Sequence, residues 1–487
     1  MSMEMEGLLE EDARYKLYLL KIFEIKKNQI VSIDTLCELL MLSKFKVQKY
    51  IDTLNSEYVV KEASSDFIVN ERGDLICYDS TKEQISQLRL QYLMESGIFK
   101  LFHELVDAPI SIEKFSKKYF LSLSKGYALK KELSRFLKPW GLSLKKDRIE
   151  GDEGSLRNVL FEVYYYFYNG LSFPFNAEIY QKTNQLYNNV VASFNLSIPP
   201  TQKIKLEIFL AIQWLRIKNH RVLKKSFIHV PVGELEKLRG IRQNLEGDKG
   251  FFKEFVDNEC AYLFLFLSTQ QMIELPLKLN DEETNLKITN ITENLIIDVK
   301  NKLQLKEQIT ELEKQEAYEH LVKRLNQIHT SFFIFPFTAT TFISENQIQF
   351  FEETHPVFHQ IIKAFINHLV EEQILTMGEN EQIKLYYDYM FAMIMHFPNT
   401  YIEDDFYICV DFSHGVTYSD YIAETIRSFK NMNIVVERKI YPHTALYVSD
   451  FSITKLNCPQ IIWENPPTAN DWEQFGDKVI AIKGEKR

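Results

Sequence analysis

The chain has 487 residues, with 57 Lys and Arg against 67 Asp and Glu and a formal charge of −10. That length predicts three to five domains, and 45% apolar with 25% charged residues excludes a disordered chain, while 16 Gly and 14 Pro exclude low-complexity architecture. Five cysteines without a C-x-x-C pair exclude a disulfide framework or zinc ribbon, and the absence of a long apolar run or a signal-peptide pattern predicts a soluble, cytoplasmic chain with no membrane partner.

The charge is unevenly placed. Residues 13–50 hold 8 basic and 3 acidic side chains and residues 111–148 hold 11 and 3, whereas the stretch 51–100 between them is net −4. Residues 151–487 hold 33 basic and 44 acidic groups. Two basic islands on an acidic body fit a footprint on a polyanion, because Lys and Arg near phosphates release condensed counterions.

In chain order, Tyr15, Leu19, Ile22 and Phe23 fall at helical spacing. Ile33, Leu36, Cys37 and Leu40 then predict a short helix capped by Ser32. Ser43 caps a third helix with Val47, Ile51 and Leu54 inward and Lys44, Lys46, Gln48 and Lys49 outward. This is the pattern of a helix-turn-helix, in which the second helix enters the major groove. Lys and Gln carry donors for base edges, and Ser43 at a helix N-terminus suits a phosphate. Tyr58–Lys61 and Phe67–Val69 alternate like a two-stranded wing.

The pattern recurs in the second island. Ile112, Phe115 and Tyr119 predict a short helix after Ser111, Leu121–Ser124 the turn, and Leu129, Leu133, Phe136 and Leu137 the buried face of the next helix. Its exposed side offers Lys125, Tyr127, Lys130, Lys131 and Arg135, which with Ser124 of the turn are the candidate DNA contacts, and Leu142–Lys146 with Arg148–Glu150 predicts a second wing. Gly126 within that helix costs about 1 kcal/mol against Ala.

From about 160 to 400 the chain reads as helical. The run Phe161 to Tyr168 lacks interleaved basic residues and reads as packed core rather than a base-stacking platform. Trp214-Leu215-Arg216-Ile217 is echoed by Val322-Lys323-Arg324-Leu325, and Asn258–Leu263 by Asn380–Leu385, at similar offsets and in the same order. Two tandem helical domains are expected.

With its wing ending Ile149-Glu150-Gly151-Asp152-Glu153 and Leu156-Arg157 beyond it, the chain resembles the Mga/AtxA group of virulence regulators, whose helical repeats are phosphotransferase-system (PTS) regulation domains. The resemblance implies a Gram-positive transcription regulator binding double-stranded DNA, acting with RNA polymerase, and phosphorylated on histidines by a PTS phosphocarrier protein. His220 four residues after Arg216, His320 and His329 flanking Arg324, and His396 after the final helix of the second repeat are the candidate acceptors. His355 and His359 have i, i+4 spacing but lack a further ligand pattern, so no metal site is expected.

From Tyr401 the pattern changes: strands Phe406–Phe412, Asn433–Glu437, Ala445–Val448 and Gln460–Trp463 alternate with helix Tyr418–Phe429, and Asp471 begins a terminal helical segment. A small, largely parallel α/β domain follows. It resembles an enzyme IIB domain, but the run Phe412–Ser419 places Phe412 where the phosphoacceptor Cys would stand and Thr417 where a Gly would stand. Cys409 is expected to face the core. The resemblance therefore implies a dimerisation surface rather than phosphotransfer.

The expected architecture is multidomain and mainly α: winged helix-turn-helix domains at 1–75 and 76–158, helical regulation domains at 159–282 and 283–400, and an enzyme IIB-like α/β domain at 401–487 that joins a homodimer. No nucleophile–base pair, phosphate loop or metal cluster appears, so neither enzymatic activity nor a cofactor is expected. The alternatives are a sugar-operon activator carrying phosphohistidine, and an interaction scaffold that does not bind DNA.

Overall fold

The computed structural model describes residues 5–26, 29–59, 68–71, 74–77, 82–230, 234, 237, 241, 253–273, 278–336, 345–429 and 432–485. The chain divides into two compact units, one of residues 1–286, 330–343 and 378–381, the other of residues 287–329, 344–377 and 382–487. It is mainly helical, with a small parallel sheet near its C-terminal end, as the periodicities predict.

The first compact unit opens with helix α1 (Glu11–Ile25), strand β1 (Val31–Ser32), and helices α2 (Ile33–Leu40) and α3 (Lys44–Val59). Leu17, Leu19, Leu20 and Phe23 of α1, Ile33 and Leu36 of α2, and Val47, Tyr50, Ile51 and Leu54 of α3 are buried. Strands β2 (Ile68–Glu71) and β3 (Asp74–Cys77) complete an antiparallel sheet of order β1-β3-β2, with Val31 opposite Leu75 and Ile68 opposite Cys77. The wing is this hairpin, and the predicted first wing strand is displaced. Tyr58 and Val59 end α3, whereas residues 60, 61 and 67 lie outside the described residues. Asn55 fixes the hairpin to α3: its amide donates to the Ile68 carbonyl at 2.9 Å and accepts from the Ile68 N–H at 2.8 Å.

Helices α4 (Lys82–Glu95) and α5 (Gly97–Asp107) lead into α6 (Ile112–Lys118), α7 (Leu123–Leu137) and the hairpin β4 (Ser143–Lys145)–β5 (Arg148–Glu150). Lys146 and Asp147 both have positive φ, 45° and 59°, the backbone of a tight two-residue hairpin turn. Helices α8 (Glu153–Tyr168), α9 (Ala177–Phe194), α10 (Pro200–Lys218) and α11 (Lys253–Thr269) follow. The aromatic run in α8 is core: Phe161, Tyr164, Phe167 and Tyr168 are buried. An ion network lies among these helices. Arg157 donates to both Glu259 oxygens at 2.7 and 2.8 Å, and Glu153 accepts from Arg157 at 3.0 Å and from Arg216 at 2.9 Å.

Helices α12 (Glu282–Lys302), α13 (Glu311–Ile334), α14 (Glu345–Thr354), α15 (Pro356–Glu371) and α16 (Glu379–His396) supply most of the helical part of the second compact unit. There, strand β6 (Phe406–Val410), helix α17 (Val416–Arg427), strands β7 (Ile434–Glu437), β8 (Leu446–Ser449) and β9 (Gln460–Ile462), and helix α18 (Ala469–Glu485) make the α/β domain. Its strands run parallel in the order β7-β6-β8-β9. Phe406, Ile408, Val410, Leu446, Val448 and Ile461 pack against Ile422, Ile426, Phe475 and Val479 of the two helices. Alternation puts Cys409 and Tyr447 on the other face. Cys409 is buried, but away from the core face expected for it, and burial pushes its thiol up to about 11. Phe412 belongs to the core, where a nucleophile would be inaccessible.

Candidate nucleic-acid interface

Both helix-turn-helix motifs are built the same way at a constant offset of 79 residues. Ser32 and Ser111 cap α2 and α6, with Oγ accepting the N–H of Thr35 and Lys114 respectively. The end of each short helix closes through matching backbone bonds, Leu42 N–H to Cys37 O at 3.1 Å and Leu121 N–H to Ser116 O at 2.8 Å. These close around a left-handed residue, Met41 (φ 52°) in one and Phe120 (φ 54°) in the other. Ser43 Oγ then accepts the Lys46 N–H at 3.4 Å, and Ser122 Oγ accepts the Lys125 N–H at 3.2 Å. The second cap is therefore Ser122, and Ser124 lies exposed in the first turn of α7 rather than in the turn before it. The repeated pairs Ser-Ile and Leu-Ser at this offset are the sequence signal that locates it.

On α3, Lys44, Phe45, Lys46 and Lys49 face solvent, while Gln48 is half-buried and donates to Asp52 at 2.8 Å. On α7, Leu123, Ser124, Lys125, Tyr127, Lys131 and Arg135 are exposed and Lys130 is half-buried. Phe45 is 80% exposed and Leu123 48%, so each helix presents apolar surface beside its polar groups, which charge-based reading passes over. The Tyr127 hydroxyl donates to Glu113 at 3.1 Å, and that hydrogen bond raises its pKa. Lys145, Lys146 and Arg148 are exposed on the β4–β5 wing and extend the basic surface of the second motif.

Several of these cations face carboxylates. Lys44 lies 3.5 Å from Asp34, Lys130 lies 3.9 Å from Asp147, and Arg135 lies 2.5 Å from Glu132. Lys46 lies 4.0 Å from Glu11, Lys49 lies 3.9 Å from Asp12, and Lys125 lies 3.6 Å from Glu10. Exposed pairs of this kind contribute about 0–1 kcal/mol each, so phosphate can displace them.

The four candidate histidines occupy different surroundings. His220 is exposed, with φ 56°, just beyond α10. His320 is exposed on α13, its ring centroid 5.9 Å from that of the half-buried His396, whose pKa is lowered by burial and by the neighbouring His320 and Arg324. His329 is buried, with Nδ1 2.7 Å from the Thr292 hydroxyl and Nε2 2.7 Å from the Tyr389 hydroxyl. Both ring nitrogens are engaged, so it offers none to a phosphoryl donor. His359 is buried too, with Nδ1 2.9 Å from the Tyr386 hydroxyl, and no group of metal ligands occurs among the described residues.

Burial lowers the His329 pKa from 6.5 to about 3, which gives a sign for stability. Between these values the unfolded chain binds a proton that the folded chain does not, so acid favours unfolding. The second compact unit is expected to lose about 1.4 kcal/mol per pH unit from this residue as pH falls from about 6.5 toward 3, and nothing above 6.5. Urea midpoints across that range should fall less steeply in His329→Gln, and equal slopes would refute the assignment.

Residues 81–165 match the Mga helix-turn-helix domain, a segment that runs from the start of α4 into α8 and includes α6, α7 and the β4–β5 wing. That stretch is therefore similar to the helix-turn-helix domain of Mga-type regulators. No curated protein matches it. Among the described residues no helix is long and apolar enough to cross a membrane.

Proposed function

We propose that this chain, with its Mga-type domain and a second motif of the same construction 79 residues upstream, is a transcriptional regulator of the virulence type that docks both motifs on double-stranded DNA. The observation that carries the reading is the repetition itself: two Ser-capped helices, each closed onto a short helix by the same backbone bonds, each with cations on its outer side. The polar N-terminal turns suit phosphates and base edges. Residues 159–282 and 283–400 serve as regulation domains, and residues 401–487 join a homodimer. In support of that last role, on the sheet face away from α17 and α18 the edge strands leave Val435 36% and Ile462 43% exposed, while Cys409 and Tyr447 of the central strands are buried. A dimer places four basic motifs on one duplex and presents the DNA to RNA polymerase.

Control by a PTS phosphocarrier is the second reading. Its support is the exposure of His320 beside His396 and Arg324, where a phosphoryl group would add about −1.5 to −2 charges.

Changing Lys44, Lys49 and Lys131 together to Ala tests the main reading. Binding to genomic duplex fragments is expected to weaken, and the slope of log affinity against log salt to shrink by about 2–3. An unchanged slope, or footprints retained after residues 1–150 are removed, would place DNA contact elsewhere.

A further inference from the structure

Three consecutive carboxylates, Glu10, Glu11 and Asp12, face cations of both motifs. Glu10 stands 3.6 Å from Lys125 of α7, while Glu11 and Asp12 stand 4.0 and 3.9 Å from Lys46 and Lys49 of α3. Their side chains are 47%, 70% and 67% exposed, so a polyanion approaching those lysines meets them as well.

The segment is held in place from behind. Leu8 and Leu9 are fully buried, and Ser96 Oγ donates to the Leu8 carbonyl at 2.6 Å. Glu6 is buried, pairs with Lys21 and accepts from the Tyr166 hydroxyl. Glu10 also accepts the Gly97 N–H at 3.4 Å, and Asp12 accepts the Tyr50 hydroxyl at 2.8 Å. The backbone that carries the three carboxylates is thus anchored, and the side chains of Glu10 and Asp12 are held by hydrogen bonds. Because Glu10 and Glu11 are adjacent, the ammonium groups of Lys46 and Lys125 are at most about 22 Å apart, less than one turn of B-DNA. The acidic strip therefore lies beside cations of both motifs within the length of one duplex turn.

We infer that Glu10, Glu11 and Asp12 are specificity-determining residues, an anchored anionic strip that weakens contact with the phosphate backbone at both recognition helices and so suppresses sequence-independent binding. The inference rests on the DNA-binding reading and deepens it. Non-specific affinity comes almost wholly from lysine–phosphate contacts, whereas specific affinity adds base-edge contacts that the strip does not oppose. Like charge placed against an unwanted mode of binding is discrimination by repulsion.

The test compares the full chain with its Glu10→Gln/Glu11→Gln/Asp12→Asn variant. The probes are a random-sequence duplex of roughly 30 base pairs and genomic fragments selected by the unaltered protein, each titrated across a salt series by fluorescence anisotropy. The variant is expected to bind the random duplex about three- to tenfold more tightly, to show a salt slope steeper by about 1–3, and to gain less on the selected fragments. Glu11→Gln alone, whose carboxylate pairs with Lys46, should show the same trend at smaller size and serves if the triple variant unfolds. Equal affinity and slope on the random duplex, or an equal gain on both probes, overturns the inference while leaving DNA binding intact. Failure of both proteins to bind any duplex at low salt overturns the DNA-binding reading and this inference with it.

Discussion

Replacing Glu259 by Gln is expected to destabilise the first compact unit by about 3–5 kcal/mol, the cost of leaving a buried charge uncompensated. Arg157 and Glu259 are 2% and 1% exposed and meet through two hydrogen bonds of 2.7 and 2.8 Å. Glu259 also accepts from Gln213 at 3.0 Å and from the Leu223 N–H at 2.9 Å. With Arg157, Arg216, Glu153 and Glu259 all ionised, the network is neutral. Burial by itself would lower the Arg157 pKa, but Glu259 and Glu153 outweigh it and hold the guanidinium charged. Gln at 259 leaves two guanidinium groups to share Glu153. Urea unfolding followed by Trp140 and Trp214 fluorescence measures the loss. Adding Arg157→Met should recover a substantial part of it, since the orphaned cation goes too. A loss below about 1 kcal/mol in the single variant would show that water or a shifted side chain already compensates the site.

Substituting Gly126 by Val is expected to cost about 2–3 kcal/mol in the second helix-turn-helix and to abolish its contribution to DNA binding. A Cβ at this position would lie 2.3 Å from Ser116 Oγ and 2.9 Å from Ile112 Cγ2, inside van der Waals contact. Ser116 is itself only 4% exposed. Helices α6 and α7 must then part, and the outward residues of α7 lose their placement relative to the wing. Gly126→Ala should be milder, because a rotated Ser116 hydroxyl relieves its closest contact and Ala returns about 1 kcal/mol of helix propensity. Thermal unfolding together with footprinting separates the two variants. A Gly126→Val protein with unaltered stability and footprint would refute the tight approach.

That glycine shows how far local reading reaches. From sequence, Gly126 is a weak point in a helix; in the fold it is what lets α6 and α7 touch, and the equivalent residue of the first motif is the fully buried Val47. The first wing shows the same limit. Tyr58 and Val59 alternate like a strand, yet α3 continues through them, because nothing before Val59 ends its hydrogen-bond ladder. The turn before α7, expected over Leu121–Ser124, ends two residues earlier, because the backbone bond from Leu121 to Ser116 closes α6 and leaves Ser122 to cap the next helix. By contrast, the strands and helices from Phe406 onward follow their β-branched and aromatic runs closely.

By itself the sequence determined the helical character of the chain, the caps Ser32 and Ser43, the two lysine-bearing motifs, and a C-terminal α/β segment whose nucleophile position holds Phe412. Each of these depends on hydrogen bonds and side-chain periodicity within a few residues. Only the tertiary structure decided that Glu10 reaches Lys125, that Glu259 neutralises Arg157, and that His329 lies between Thr292 and Tyr389 with both ring nitrogens engaged. Those contacts join residues dozens to more than a hundred positions apart, and charge or protonation there follows the partner that packing brings near, which no local pattern records.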